Sequence, residues 1–346
     1  MIPRIAITIG DFNGVGPEIT LKALSRRSLL QHHHFILIGP FDIFQFFRKK
    51  FRYPVSLEKV TEVPKKYRRA IPVLDIPTAT AGDISIGRLS STAGLCAGRA
   101  IEYAANLCRT NVVDAMVTAP ISKEALNAAG FGYPGQTEML SALSGNQKVV
   151  MMLISQTMRV GLVTIHLPLR DVSSTLSIEK IFETTVIVDF TLRHDFSIRT
   201  PSIALLALNP HASEEGLIGN EDLTIVKPAV EFLRLQNLKV SGPFPADGFF
   251  SQWFPNRYDA VIAMYHDQGL IPLKMTARNS GVNFSAGLQI IRTSPDHGTA
   301  FEIAGKNIAN PNSMVEAIVM AGHIACRRKL HSSRNRPTID KSKAYI

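Results

Sequence analysis

The chain has 346 residues, 45% of them hydrophobic and 19% charged, with three scattered cysteines and a net charge of +10. That length suits about two domains and a core needing no disulfide or metal staple. The composition excludes a disordered, collagenous or disulfide-rich secreted protein, and no apolar run approaches the roughly 20 residues of a membrane span.

In chain order, apolar β-branched runs predict strands at 5–10, 34–40, 114–120, 149–155, 160–166, 202–209 and 259–266. Between them, helices are predicted over 17–30, 91–109, 122–129, 178–189, 221–236 and 312–330. Asp222 or Asn220 is expected to cap the fifth helix, and Asn312 or Ser313 the last. The alternation predicts an α/β protein with much parallel pairing. Its N-terminus, MIPRIAITIGDF, reads as a strand and a turn rather than a leader, and the odd cysteine count suits a reducing cytoplasm. The positive charge is concentrated. Residues 48–70 carry nine Lys and Arg against two Glu, residues 326–346 carry seven against one Asp, and the rest is near neutral. Neither segment shows a reader motif or aromatic interleaving, so neither nucleic acid nor membrane is expected as a partner. Residues 333–346 read as a loose basic tail.

Ligands of open α/β sheets bind beyond the carboxyl ends of strands. Three histidines stand there. His166 ends VGLVTIH, His211 follows SIALLALNP, and His266 ends DAVIAMYH. Three imidazoles with an open position suit a zinc-like Lewis acid. Asp267, next to His266, and Asp247, in the PADG turn, are the candidates to orient a ligand or handle protons. His32, His33 and His34 are adjacent, cannot all face one ion, and are expected at the surface. Lys274, Asn283 and Arg292 stand nine residues apart in Gly-rich, strand-and-turn sequence, and together suit a phosphate or carboxylate. Gln136 and Thr137 follow a Pro-Gly turn, after which Glu138 opens a helix whose N-terminus suits an anion. The loop GDFNGVGPEI, with Gly14 and Gly16, permits a tight turn and close approach of a ligand, but it is neither GxGxxG nor a P-loop.

The segments GDFNGVGPEI, TAPISKEAL, GQTEML, TIHLPLRDV, LNPHASEEGLIGNE, GPFPADGFF, YDAVIAMYHDQGLIPLK, GVNFSAGLQIIRTSPDHGTAFEIAGK and NPNSM occur in this order. With them the chain resembles the PdxA family, the 4-hydroxythreonine-4-phosphate dehydrogenases of pyridoxine biosynthesis, from about residue 4 to 330. The resemblance implies an isocitrate/isopropylmalate dehydrogenase-like fold, with two α/β domains and the active site in the cleft. The domains expected are 1–134 with 286–332, carrying the NAD loop, and 135–285, carrying metal, substrate and dimer contacts. It implies a cytoplasmic homodimer with shared sites. One divalent ion (zinc, magnesium or cobalt) would be held by His166, His211 and His266, with His266 expected from the partner subunit. Gln136, Thr137, Lys274, Asn283 and Arg292 fall on substrate positions. His297, Gly298 and Asn310 fall on a looser match to an adenine-binding loop for NAD or NADP. The implied reaction oxidises 4-phosphohydroxy-L-threonine to a β-keto acid that decarboxylates to 3-amino-2-oxopropyl phosphate. Gln136 departs from the family's usual His, and Phe12 and Asn13 depart from its usual GDPAG loop. The first departure keeps a D-threonate or D-erythronate 4-phosphate dehydrogenase as an alternative. A metal-bound acyl or phosphoryl transferase on the same fold is the alternative of another class.

Overall fold

Each of the seven apolar runs forms a strand in the computed structural model, which describes residues 2–255 and 257–334. The first third of the chain holds β1 (Arg4–Thr8), α1 (Gly16–Leu24), α2 (Arg27–His32), β2 (His34–Ile38), α3 (Phe41–Phe51), β3 (Leu57–Val60), β4 (Ile71–Leu74) and α4 (Ser91–Arg109). There follow β5 (Ala115–Thr118), α5 (Lys123–Ala128), α6 (Gln136–Leu143), β6 (Val150–Ile154), β7 (Arg159–Leu162), α7 (Val172–Thr175), α8 (Ile178–His194) and β8 (Ser202–Leu206). The rest comprises α9 (Lys227–Leu235), β9 (Lys239–Phe244), α10 (Ala246–Ser251), β10 (Ala260–Ala263), α11 (His266–Ala277), β11 (Val282–Ala286), β12 (Arg292–Pro295) and α12 (Asn312–Arg334).

All twelve strands join one sheet in the order β3-β4-β2-β1-β5-β12-β11-β6-β7-β10-β8-β9. From β3 to β12 every neighbouring pair is parallel. In the middle, β11 runs antiparallel to both β12 and β6, and β6 runs antiparallel to β7. Beyond β7 the strands are parallel to one another again, now opposite in direction to the first group. The sheet thus changes direction at its centre, across β12, β11, β6 and β7. Both faces are covered, as near-continuous apolar strands require. Along β8, Ile203 and Leu205 join the main core, whereas Ala204 and Leu206 join a second cluster on the other face with Val261 and Leu273.

Several expectations are corrected. The 17–30 helix breaks at Ser25 and Arg26 into α1 and α2. Neither Asp222 nor Asn220 caps the fifth helix. It opens with a wide π turn over Asp222–Val226, and Asp222 points inward. The anion-suited helix starts at Gln136, with Glu138 inside its first turn. Lys274 belongs to α11, not to a strand or turn, because LIPLKM continues the helix that His266 begins. His33 is buried and shares its Nδ1 with the Leu29 carbonyl at 3.1 Å, so the histidine run is only partly surface. The departure Phe12 is fully buried as core filling, and Asn13 Oδ1 accepts the Ser85 amide at 2.8 Å. The expected basic tail lies outside the described residues from 335 onward; Ser333 and Arg334 complete α12. Among the described residues, no helix is long and apolar enough to cross a membrane.

Candidate active site

The central crevice holds a cavity of about 280 Å³ lined by Gln136, Thr137, Lys274, Asn283, Arg292, His166, His266, His297 and Gly298. Residues more than a hundred positions apart meet here because β12 and β11 pair at the reversal and α11 packs across β7.

Arg292 begins β12 and is buried. Its Nε donates to Thr118 Oγ1 at 3.0 Å, Nη1 to Ser285 Oγ at 3.1 Å and Nη2 to Gln136 Oε1 at 2.9 Å. Every acceptor is neutral. Burial pulls the guanidinium down to about 10, with the Glu138 carboxylate opposing, so it remains charged at neutral pH. A buried cation held only by neutral acceptors is poised for an anion. Gln136 completes this arrangement, since its Nε2 donates to the Ala119 carbonyl at 3.3 Å. Both ends of its amide thus serve Arg292 and the β5 loop. Asn283, on β11, has a buried Oδ1 without a partner among the described residues, an acceptor left for a ligand hydroxyl or ammonium.

His166 and His266 leave adjacent parallel strands together. Val163 N donates to Ala263 O at 3.0 Å, and Thr164 donates to Met264 O through its amide at 3.2 Å and its hydroxyl at 2.7 Å. Gln268 ties the same end to β8 by accepting the Met264 amide at 2.7 Å and donating to Ala207 O at 2.6 Å. The two imidazole centroids are consequently 5.7 Å apart. Two rings on one tetrahedral zinc, with Zn–N near 2.1 Å, have centroids about 5 Å apart, so the pair fits a shared metal. Asp267 Oδ1 lies 2.7 Å from His266 Nδ1, which leaves Nε2 for a ligand. The His166 imidazole is lowered from its ordinary value by burial, then by Lys123 and His266.

His211 stands apart: it is exposed and does not line the cavity. Among the described residues, no three His, Cys, Asp or Glu side chains gather closely enough to hold a metal. His211 opens a left-handed turn in which five consecutive non-glycine residues, through Glu215, have φ between 43° and 68°. Such backbone costs roughly 1–2 kcal/mol per residue. Asp222, buried beside it, accepts Leu208 N at 2.6 Å, Asn209 N at 2.9 Å and Ser213 Oγ at 2.8 Å, and so holds the turn. Asp247, exposed on α10, also lies outside the cavity lining.

A second cavity of about 300 Å³ adjoins the first, sharing Lys274, Asp296 and His297, and reaches Val15, Ile303, Ala309 and Asn310. Its apolar walls with polar ends suit a planar base. Gly298 faces open space, whereas Gly14 and Gly16 are filled by protein. A Cβ on Gly14 would sit 2.7 Å from Thr299 O, and one on Gly16 2.7 Å from Ile9 O. Gly14 lets the first loop touch the 296–300 loop, where Val15 N donates to Thr299 O at 2.9 Å, and Gly16 lets α1 start against the end of β1. Sequence reasoning passed over Lys123, Glu138 and Asp296, which line the first cavity. Each lies within a quoted motif, but Glu138 read as a helix start and the other two had no periodic signal.

Residues 31–321 match the family model described as "Pyridoxal phosphate biosynthetic protein PdxA". The chain is 43% identical over 325 residues to a 4-hydroxythreonine-4-phosphate dehydrogenase of Geobacter metallireducens, covering 93% of this chain and 96% of that one. It is 42% identical over 334 residues to one of Caulobacter vibrioides, covering 94% and 98%. The crystal structure of a 4-hydroxythreonine-4-phosphate dehydrogenase from Klebsiella pneumoniae is 38% identical with a TM-score of 0.85, covering 94% and 98%. A terephthalate 1,2-cis-dihydrodiol dehydrogenase from Burkholderia xenovorans is 28% identical with a TM-score of 0.62, covering 93% and 98%. These relatives are dehydrogenases, and fold and relatives together place the chain in that class. The chain belongs to the PdxA family.

Proposed function

We propose that this chain is the 4-hydroxythreonine-4-phosphate dehydrogenase of vitamin B6 biosynthesis. It oxidises 4-phosphohydroxy-L-threonine with NAD and releases 3-amino-2-oxopropyl phosphate and CO2. The observation that carries this reading is the wall shared by the two cavities. An anionic substrate at Arg292 and a nicotinamide cofactor reaching toward His297 and Asn310 would meet across Lys274 and Asp296.

In this reading Arg292, Lys274 and Lys123 hold the phosphate and carboxylate, and Gln136 aims the Arg292 fork. Asn283 Oδ1 accepts from the substrate's ammonium or hydroxyl, and Thr137 adds a hydroxyl contact. His166 and His266 are the metal positions on one chain, with Asp267 holding the His266 tautomer. A divalent ion bound there supplies Lewis-acid polarisation of the substrate oxygen, and NAD supplies the hydride acceptor.

The third histidine argues for a homodimer. Leu167, Leu169, Leu217, Ile271 and Met275 are 41–83% exposed and lie on the segments that carry the three histidines. In the dimer, His211 is the ligand that crosses to the neighbouring site, while His166 and His266 stay together. Steady-state NADH formation with 4-phosphohydroxy-L-threonine, against D-threonate and D-erythronate 4-phosphates, tests the assignment. Turnover that is lost on chelation and restored by a divalent ion is expected. A strong preference for a sugar-acid phosphate would overturn the substrate while leaving the metal and NAD readings intact.

A further inference from the structure

We propose that the protein carries a second anion site, far from the active cavity, for a small molecule bearing two or more phosphate groups. The basic segment 48–70 folds back on itself, so that the end of α3 and the residues before β4 face α2 across a cleft of about 940 Å³. The cleft lies at the N-terminal ends of β2 and β4, whereas the Pro120 wall of the active cavity follows the C-terminal end of β5, which runs parallel to both in the same sheet. The two share no lining residue.

Arg27, Arg48, Arg68 and Arg69 line the cleft, and no carboxylate does. The side chains of Arg27, Arg68 and Arg69 have no hydrogen-bond or ion-pair partner among the described residues. Arg48 is pre-aimed, because its Nε donates to Gln45 Oε1 at 2.6 Å and its Nη1 to Val55 O at 3.2 Å. Four guanidiniums around one concavity repel one another within a Debye length, and an anion removes that repulsion. Forked guanidiniums match phosphate oxygens two at a time. The cleft is about three times the volume of the substrate cavity, so a polyphosphate suits it better than one phosphate. Tyr67 and His34 also line it, with their rings stacked at 4.2 Å and 7°, and Tyr67 Oη is buried as a donor without a partner among the described residues. A concave pocket with its rings inside suits a small ligand rather than a nucleic-acid strand, which needs an open basic track.

The test is isothermal titration of the full-length protein with inorganic tripolyphosphate at about 0.15 M salt, where loose surface attraction is screened. Saturable binding of one ligand per chain is expected. The Arg68→Gln/Arg69→Gln pair and Arg27→Gln should each weaken it by on the order of tenfold or more. These variants should keep the wild-type melting curve and the wild-type kcat/KM measured without tripolyphosphate. Arg292→Met should bind tripolyphosphate as the wild type does. The proposal is overturned if no saturable binding occurs, if the cleft variants bind undiminished, or if Arg292→Met abolishes binding and so places the ligand in the active cavity.

Discussion

Replacing Arg292 by Met separates an anion receptor from a structural tie. Burial pulls the guanidinium from its ordinary value down to about 10, a cost of roughly 3 kcal/mol to the charged native form. Both values lie above neutral pH, so this cost is constant below about pH 9 and is relieved when Met removes the charge. Against it, Thr118 Oγ1, Ser285 Oγ and Gln136 Oε1 each lose a donor, at about 1 kcal/mol apiece. The two sums nearly cancel. Urea unfolding should therefore place the variant within about 2 kcal/mol of the wild type. Substrate binding has no such compensation. Losing a charge-assisted fork in a closed site costs on the order of 2–5 kcal/mol, so kcat/KM from NADH formation should fall at least thirtyfold. A variant destabilised by more than about 4 kcal/mol that still turns over substrate normally would refute the reasoning, because Arg292 would then be a tie between β5, β11 and α6.

Asp11, buried in the first loop, is raised from 3.8 to about 6 by burial, with the Asn13 and Gly14 amides opposing. Its folded value exceeds its unfolded one. The resulting penalty is absent below pH 3.8, grows as pH rises, and is complete above pH 6 at on the order of 3 kcal/mol. Asp11→Asn, which keeps an acceptor for the Asn13 amide, should stabilise the protein by up to that amount at pH 7.5 and little at pH 4; a gain equal at both would contradict the burial argument. Asp222→Ala frees the left-handed turn and should weaken divalent-metal affinity ten- to a hundredfold in a competition with a chromophoric chelator, whereas unchanged affinity would show that the turn does not depend on Asp222. Mixing His166→Ala with His211→Ala subunits should restore activity, and mixing His166→Ala with His266→Ala should not. The reverse outcome, after verified exchange, would make His266 the crossing ligand.

The sequence alone determined much of this protein. Most strands buried on both faces are near-continuous apolar runs, so all seven runs were legible, and the alternation announced an α/β sheet. Long motifs carried the family, and with it Arg292, Asn283, Lys274 and the histidines, because their residue types are unusual at those positions. The short strands β3, β4 and β9 were not legible, since sheet partners rather than their own length or pattern make them strands, and β11 and β12 were legible only as strand-and-turn sequence. Only the tertiary structure decided that the sheet reverses at β11, that Gln136 serves Arg292, and that Gly14 meets Thr299. It also brought His166 beside His266 while leaving His211 on a left-handed turn held by Asp222. Each of these depends on groups far apart in the chain, and local propensity is blind to a partner a hundred residues away.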